Sequence, residues 1–540
     1  MNSSTLIEVF GHIVFSFTRG VSENYNPREP EYTAESFGYD SLQITGREWY
    51  YYPVNELIYQ EYSDREATSL DFSASNHPDI RVINACSLEE NEELEEDQQD
   101  EDRAMAWKRL RPSAVRTVCK SMYIGALISL LTSAIIGSLY LSISYLCYKT
   151  VNNCEFHPKK SIPLNVQWIR SISLVISYFF LHFSSFVSML FLFRPYQLMG
   201  VKRKVILVCC LGYCLATFYI IALQALGISH SKPSSLQLIP DNVIIVISLC
   251  VQIYLVTNHF CIRRTKRSHV NFFFQMTVAP ISIVVLAIPV AQIIYPAYNK
   301  QGKDGKLLIA LFSPLIGVIL KVILRVSVQR LCSKSIHPGY SYVLLAPLYC
   351  CSAVVFRVLQ ADLGSLQSIA VLGIIHGAAE VIERSTMVVI DHICHVIWKR
   401  TSAPWGSFRT PRCERIMADI AIMSMLYEAT AIVSVNEVLY LCQYMYLQND
   451  LFLKLLQSFA VTTSVQLVIE WFFTSVSLAI ETRYQNIAVM AVWRAQWKRH
   501  VLIATLTAAV VAIWSTKYLL PIVHDRFNKF SNQTCKIPFT

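Results

Sequence analysis

Residues 374–395 read IIHGAAEVIERSTMVVIDHICH, directly after the apolar run LGSLQSIAVLG at 363–373. The segment opens as a bilayer-crossing helix opens. It then takes on three histidines, two glutamates, an arginine and an aspartate. At about 100° per residue, His376, Glu380, Glu383, Arg384, Asp391 and His395 share about a third of a helix circumference, while His392 stands apart. Facing lipid, such a stripe would be very costly, so it must face protein or water. Counting about 20 residues from Leu363 reaches Glu383, which puts His376 and Glu380 at hydrocarbon depth. Asp391, His392 and His395 then fall near the headgroups, within reach of water. Glu380 and Arg384 stand one turn apart with the acid first, the favourable order for an intrahelical pair that only locks packing.

The rest of the chain fits that membrane setting. Of its 540 residues, 53% are hydrophobic and 16% are charged, against about 25% charged in ordinary soluble domains. Eleven apolar stretches approach the roughly 20 residues that a crossing requires. They lie near 121–146, 169–193, 204–227, 241–262, 270–295, 307–329, 340–358, 363–387, 417–440, 455–480 and 500–522. The expected fold class is therefore all-α, a polytopic helical membrane bundle. Spans 7 and 8, joined only by LQADLG, would form either a tight helical hairpin or a re-entrant pair.

Lys and Arg in short loops set the orientation. They are dense before span 1 (Lys108, Arg109, Arg111, Arg116) and after spans 2, 4, 8 and 10, and sparser in the alternate loops. This predicts a cytosolic N-terminus and, with an odd number of spans, an extracytosolic C-terminus. The sequon at Asn532 falls in that C-terminal tail, where it would be glycosylated. The membrane is the plasma membrane or an endomembrane.

Charge divides the chain further. Residues 1–103 hold 23 Asp+Glu and six Lys+Arg, a local balance of −17 in a chain of net +9, which leaves the remainder at +26. The expected organisation is a largely disordered acidic tail over 1–103, a basic juxtamembrane segment over 104–120, the eleven-span domain over 121–522 and a tail over 523–540. No cleavable signal peptide is read; 5–17 is apolar but holds Glu8 and His12. Tyrosines crowd the acidic tail, and Tyr39-Asp-Ser-Leu42 has the form read by sorting adaptors or, once phosphorylated, by SH2 domains. Residues 485–500 (QNIAVMAVWRAQWKRH) read as an amphipathic stretch lying flat at the interface. Most of the 16 cysteines sit in apolar runs; Cys147 and Cys154 flank a short loop and form a candidate disulfide.

Polar residues recur in other spans. In span 10, Thr463, Gln466, Glu470, Thr474, Ser477 and Glu481 fall within about 80° of one another. Span 9 adds Glu428, Asn436 and Glu437; span 6 adds Lys321 and Arg325, one turn apart. Such groups act as interhelical glue in many proteins, and the two cations of span 6 have the option of snorkelling to the cytosolic face. Intramembrane ionisable groups are functional-site candidates by default. The candidate pathway for an ion or small solute therefore comprises His376, Glu380, Glu383, Arg384, Glu428, Glu437, Gln466, Glu470, Lys321 and Arg325, among spans 6, 8, 9 and 10. Prolines at 280, 289, 314 and 347 add expected kinks in spans 5, 6 and 7.

Other classes find less support. There is no P-loop, Gly-rich nucleotide loop, GxSxG turn or nucleic-acid module, and no CxxC pair with metal spacing. His376 alone would suit an acyltransferase, without a recognisable partner. No enzymatic activity, cofactor or metal is expected. The expected partners are the lipid bilayer, a small ion or solute, and adaptor or SH2 proteins at the tail. The alternative to transport is a membrane receptor or scaffold signalling through that tail.

Overall fold

The computed structural model describes residues 113–151, 164–193, 197–226, 235–261, 266–329, 338–363, 365–399, 411–446, 452–483 and 489–528, together with Ile336, Gln485 and Ile487. The acidic tail with Tyr39, the side chain of Cys147, Cys154 and the sequon at Asn532 lie outside the described residues. Helices follow in the order α1 Ser113–Val151, α2 Leu164–Leu192, α3 Lys202–Ala225, α4 Ser235–Cys261, α5 Lys266–Pro289, α6 Tyr295–Lys300, α7 Lys303–Phe312, α8 Pro314–Gln329, α9 Ala346–Ala361, α10 Leu366–Lys399, α11 Pro411–Tyr446, α12 Phe452–Arg483 and α13 Val489–Asn528. No strand occurs among the described residues.

Among the described residues, ten helical segments are long and apolar enough to cross a membrane, which makes the chain compatible with a multi-pass membrane protein. Each overlaps one of the first ten expected spans, with ends that differ by up to eight residues. The eleventh, 500–522, falls inside α13, where side chains beyond residue 513 lie outside the described residues. Two segments differ from the rest: Gly339–Ala361 is 83% buried and Arg415–Leu441 89%, against 17–33% for the other eight. Lipid can solvate an apolar side chain but not an ion. These two enclosed segments therefore offer protein surroundings along most of their length, while the other eight can keep charge only on the faces they turn to neighbouring helices.

Proline shapes three segments. Behind Pro289, which has no N–H to give, α5 loosens into a π-turn at Val290–Ile294 before α6 begins. At Pro314 the sixth span loses a hydrogen bond and is interrupted for one residue: α7 ends at Phe312 and α8 starts at Pro314, while Ser313 between them keeps helical dihedrals. The seventh span differs from expectation. Pro347 does not kink it but sits in the first turn of α9, where its missing N–H costs nothing. A 3₁₀ stretch, Pro338–Leu344, leads into it. The stretch at 485–500 also differs. Val489, Met490, Val492 and Trp493 are buried in protein, so the apolar face of this stretch packs on neighbouring residues.

The chain divides into two compact units. One holds Arg384–Ala421 and Ser475–Trp497 with the described residues up to Cys119; the other holds Lys120–Glu383, Ile422–Thr474 and the described residues from Lys498. In the larger unit small residues let helices approach closely. A Cβ on Gly125 of α1 would stand 2.6 Å from the Leu426 carbonyl oxygen of α11. Beside it, Ser129 Oγ donates to the Thr430 carbonyl at 3.0 Å. Gly125→Leu should lower thermal stability in detergent by about 1–3 kcal/mol, the range for overpacking a tight contact. Gly302→Ala, where a Cβ meets nothing within 4 Å, should leave the melting temperature unchanged. Equal melting temperatures for the two variants would show that the contact is not close.

Candidate functional site

The larger unit gathers ionisable side chains from α8, α9, α10, α11 and α12. At its centre is Arg357 of α9, only 7% exposed. A guanidinium taken out of water must find acceptors for its donors, and all three of its nitrogens do. Nε and one NH2 group reach Glu428 Oε2 of α11 at 3.2 and 2.9 Å. The same NH2 group donates to Glu470 Oε2 of α12 at 2.5 Å. The remaining NH2 group donates to Gln360 Oε1 at 2.9 Å, one turn further along α9. Thr474 Oγ1 donates to the second oxygen of Glu470 at 2.9 Å. Glu470 is 2% exposed and its carboxylate is thus saturated by neighbours.

The cluster extends along α10. Glu380 Oε1 accepts a hydrogen bond from Ser424 of α11 and lies near enough to Glu428 and Glu470 to repel both. Glu383 pairs with Lys321 of α8 at 3.7 Å, and the Lys321 ammonium sits 5.1 Å from the Tyr349 ring centroid. Arg325, 1% exposed, interacts with Tyr349 as well. Lys321 and Arg325 are therefore engaged inside the protein and do not snorkel. Four carboxylates (Glu380, Glu383, Glu428, Glu470) thus stand against three cations (Lys321, Arg325, Arg357). Counted with every group ionised, this set holds one more carboxylate than cations.

The broken sixth span explains His376. In an unbroken helix the Ala310 carbonyl would accept the N–H of residue 314, but residue 314 is proline. The freed carbonyl instead accepts a hydrogen bond from His376 Nε2 at 3.2 Å. This places α10 against the break and fixes which ring nitrogen carries the proton.

Other predicted residues go elsewhere. Gln466 Oε1 accepts from Asn436 Nδ2 at 3.2 Å, as does Thr463 Oγ1. Glu437, the next residue, keeps one buried oxygen without a hydrogen-bond partner. Arg384 falls in the smaller unit, where Nε and one NH2 group grip Glu481 at 2.8 and 2.6 Å. Those two donors thus serve a neighbouring helix, where the sequence suggested a turn-to-turn pair with Glu380. Asp391 and His392, expected at the wet headgroups, are 1% and 3% exposed. The side chain of His395 lies outside the described residues.

A pocket of about 480 Å³ opens where the ends of α9 and α11 meet the starts of α10 and α12. Asn436 is among the residues that line it, and Arg357, Glu428 and Glu470 are not. Its wall still touches the cluster indirectly. Gln360, which accepts from Arg357, donates at 2.8 Å to the carbonyl of Ile369, a lining residue.

Sequence reasoning missed Arg357 and with it the whole contribution of α9. The signal was available: CCSAVVFRVLQ at 350–360 holds one charge in an apolar run, which the default rule for intramembrane ions would have selected. Among the described residues, no group of three or more His, Cys, Asp or Glu is placed to hold a metal ion. No family model matches the chain, and neither curated proteins nor solved structures give a significant match.

Removing one partner of a buried ion pair costs about 3–5 kcal/mol, because the other charge is stranded. Arg357→Gln should accordingly lower thermal stability sharply. Arg357→Gln combined with Glu470→Gln should recover part of the loss, since one fewer carboxylate is left uncompensated. A single variant that melts like wild type, or a double variant no better than the single, would show that the contact contributes little.

Proposed function

We propose that the protein moves a small solute across the membrane together with a proton or monovalent cation, through the polar path among α8, α9, α10, α11 and α12. The charge count of the buried cluster supports this reading most directly. Four carboxylates and three cations are one positive charge short of neutral. A net charge at hydrocarbon depth is expensive. One proton or one monovalent cation removes it, and the cluster then has a neutral form able to pass through a transport cycle. A purely architectural ion lock has no need of an odd charge.

Two further features support the reading. The sixth span carries a proline defect whose freed Ala310 carbonyl is held by His376; exposed backbone groups of this kind serve as ligands in transporter sites. A pocket of about 480 Å³ stands at one end of the same helices, a size suited to a small molecule. With the orientation that the loop charges favour, this pocket faces the extracytosolic side. The receptor or scaffold alternative draws on the tail at 1–103, which lies outside the described residues.

The test is flux. The purified chain is reconstituted in liposomes that hold a pH dye, an inward proton gradient is imposed, and inorganic ions, amino acids, carboxylates, sugars and quaternary amines are added in turn. At least one addition should evoke proton entry. Glu470→Gln should cut that rate by roughly tenfold or more, the equivalent of one charge-assisted hydrogen bond. Glu380→Gln should also slow it. A stable wild-type protein silent to the whole panel, or both variants running at the wild-type rate, would overturn the proposal.

A further inference from the structure

We infer that the pocket between the ends of α9 and α11 and the starts of α10 and α12 is a binding site for a small organic anion, a carboxylate with an apolar body, that docks on Lys454. The lining is asymmetric in charge. Lys454 is its one charged residue, and no carboxylate is among the residues that line it. An ammonium in a concave site with no carboxylate among its described lining residues draws in anions and repels cations.

The polar lining is built to orient a ligand. Tyr440 Oη lies 2.9 Å from Ser458 Oγ and 3.0 Å from Thr462 Oγ1, tying α11 to α12 and ordering three hydroxyls on one wall. Asn436, 1% exposed, lines the deep end, with its amide nitrogen directed to Thr463 and Gln466. Behind it Gln466 Nε2 is buried with no hydrogen-bond partner. Buried amide groups are seldom left so, and this one marks an acceptor-seeking spot next to the floor. Part of the wall is apolar, formed by residues such as Leu366, Ile369 and Leu439. An inorganic anion would leave both that wall and most of the volume unused. A carboxylic acid of moderate size uses the ammonium, the hydroxyls and the apolar wall together.

The inference deepens the transport reading and rests on it for its purpose. The buried cluster lacks one positive charge, so an anion arriving from this pocket meets repulsion unless a proton arrives too. Co-entry of a carboxylate and a proton satisfies both sites.

Binding is tested without flux, so its outcome is separable from that of the transport reading. The full chain is placed in nanodiscs of zwitterionic lipid, and thermal stabilisation is titrated with the sodium salts of glutamate, succinate and benzoate. Sodium chloride, choline and glucose serve as controls. At least one acid should stabilise the protein saturably while choline and glucose do not. Lys454→Gln, on an exposed helix end, should weaken that acid by about tenfold with no change in the ligand-free melting temperature, whereas Lys454→Arg should keep it. Tyr440→Phe should weaken it less. Stabilisation by choline, stabilisation indifferent to Lys454→Gln, or no response to any acid would overturn the inference. So would a response only to added anionic lipid, which would assign the pocket to headgroups. Acid binding without flux would leave this site standing and remove the transport reading alone; flux of another solute without acid binding would do the reverse.

Discussion

Arg357 is the charge on which the larger unit is organised. Its guanidinium cannot lose its proton, and it cannot reach water from a site only 7% exposed. Something must therefore surround it with acceptors. Glu428 comes from α11, Glu470 from α12 and Gln360 from its own helix. This single requirement is met by three helices brought together. It also accounts for the enclosure of the segment Gly339–Ala361, which is far more buried than most of the apolar spans around it. Pairing one arginine with two carboxylates then leaves a surplus of negative charge, and the surplus is what gives the cluster its chemical interest.

Broken helices supply the second organising device. Pro289 and Pro314 each deny a carbonyl its usual partner. The answer at the sixth span is His376, which donates to the Ala310 carbonyl. Tyrosines add cross-links: Tyr295 and Tyr298 donate to the Val355 and Leu359 carbonyls of α9 at 3.1 and 3.0 Å. Lys306, 4.7 Å from the Tyr298 ring centroid, reaches Asp362 at 3.1 Å and closes the same end of α9. In a medium without water, each freed backbone group needs a side chain to meet it. These interactions fix α9 from several sides and so hold Arg357 in place.

Much of this was legible beforehand because the governing rules are local. Length and apolarity set the spans, and ten of them fall where hydropathy placed them. A period of 3.6 placed His376, Glu380 and Glu383 on one face of α10, and Gln466, Glu470 and Thr474 on one face of α12. The periodicity of one helix is silent about which face of another it meets. Arg384 illustrates this. Its spacing from Glu380 suggested a bond within α10, yet its fork closes on Glu481 of α12. Asp391 and His392 make a related point about exposure: a residue count suggested side chains open to water, and both are shielded by protein.

The sequence by itself therefore determined the helical class, the positions of the apolar spans and the set of ions that needed partners, because these follow from apolarity and local period. Only the tertiary structure decided the pairing. It chose Arg357 as the shared counter-ion of Glu428 and Glu470, gave the freed Ala310 carbonyl to His376, and opened a pocket beside Lys454 at the meeting of four helices. Pairing depends on rotations and contacts between helices far apart in the chain, and one-dimensional spacing does not encode those in readable form.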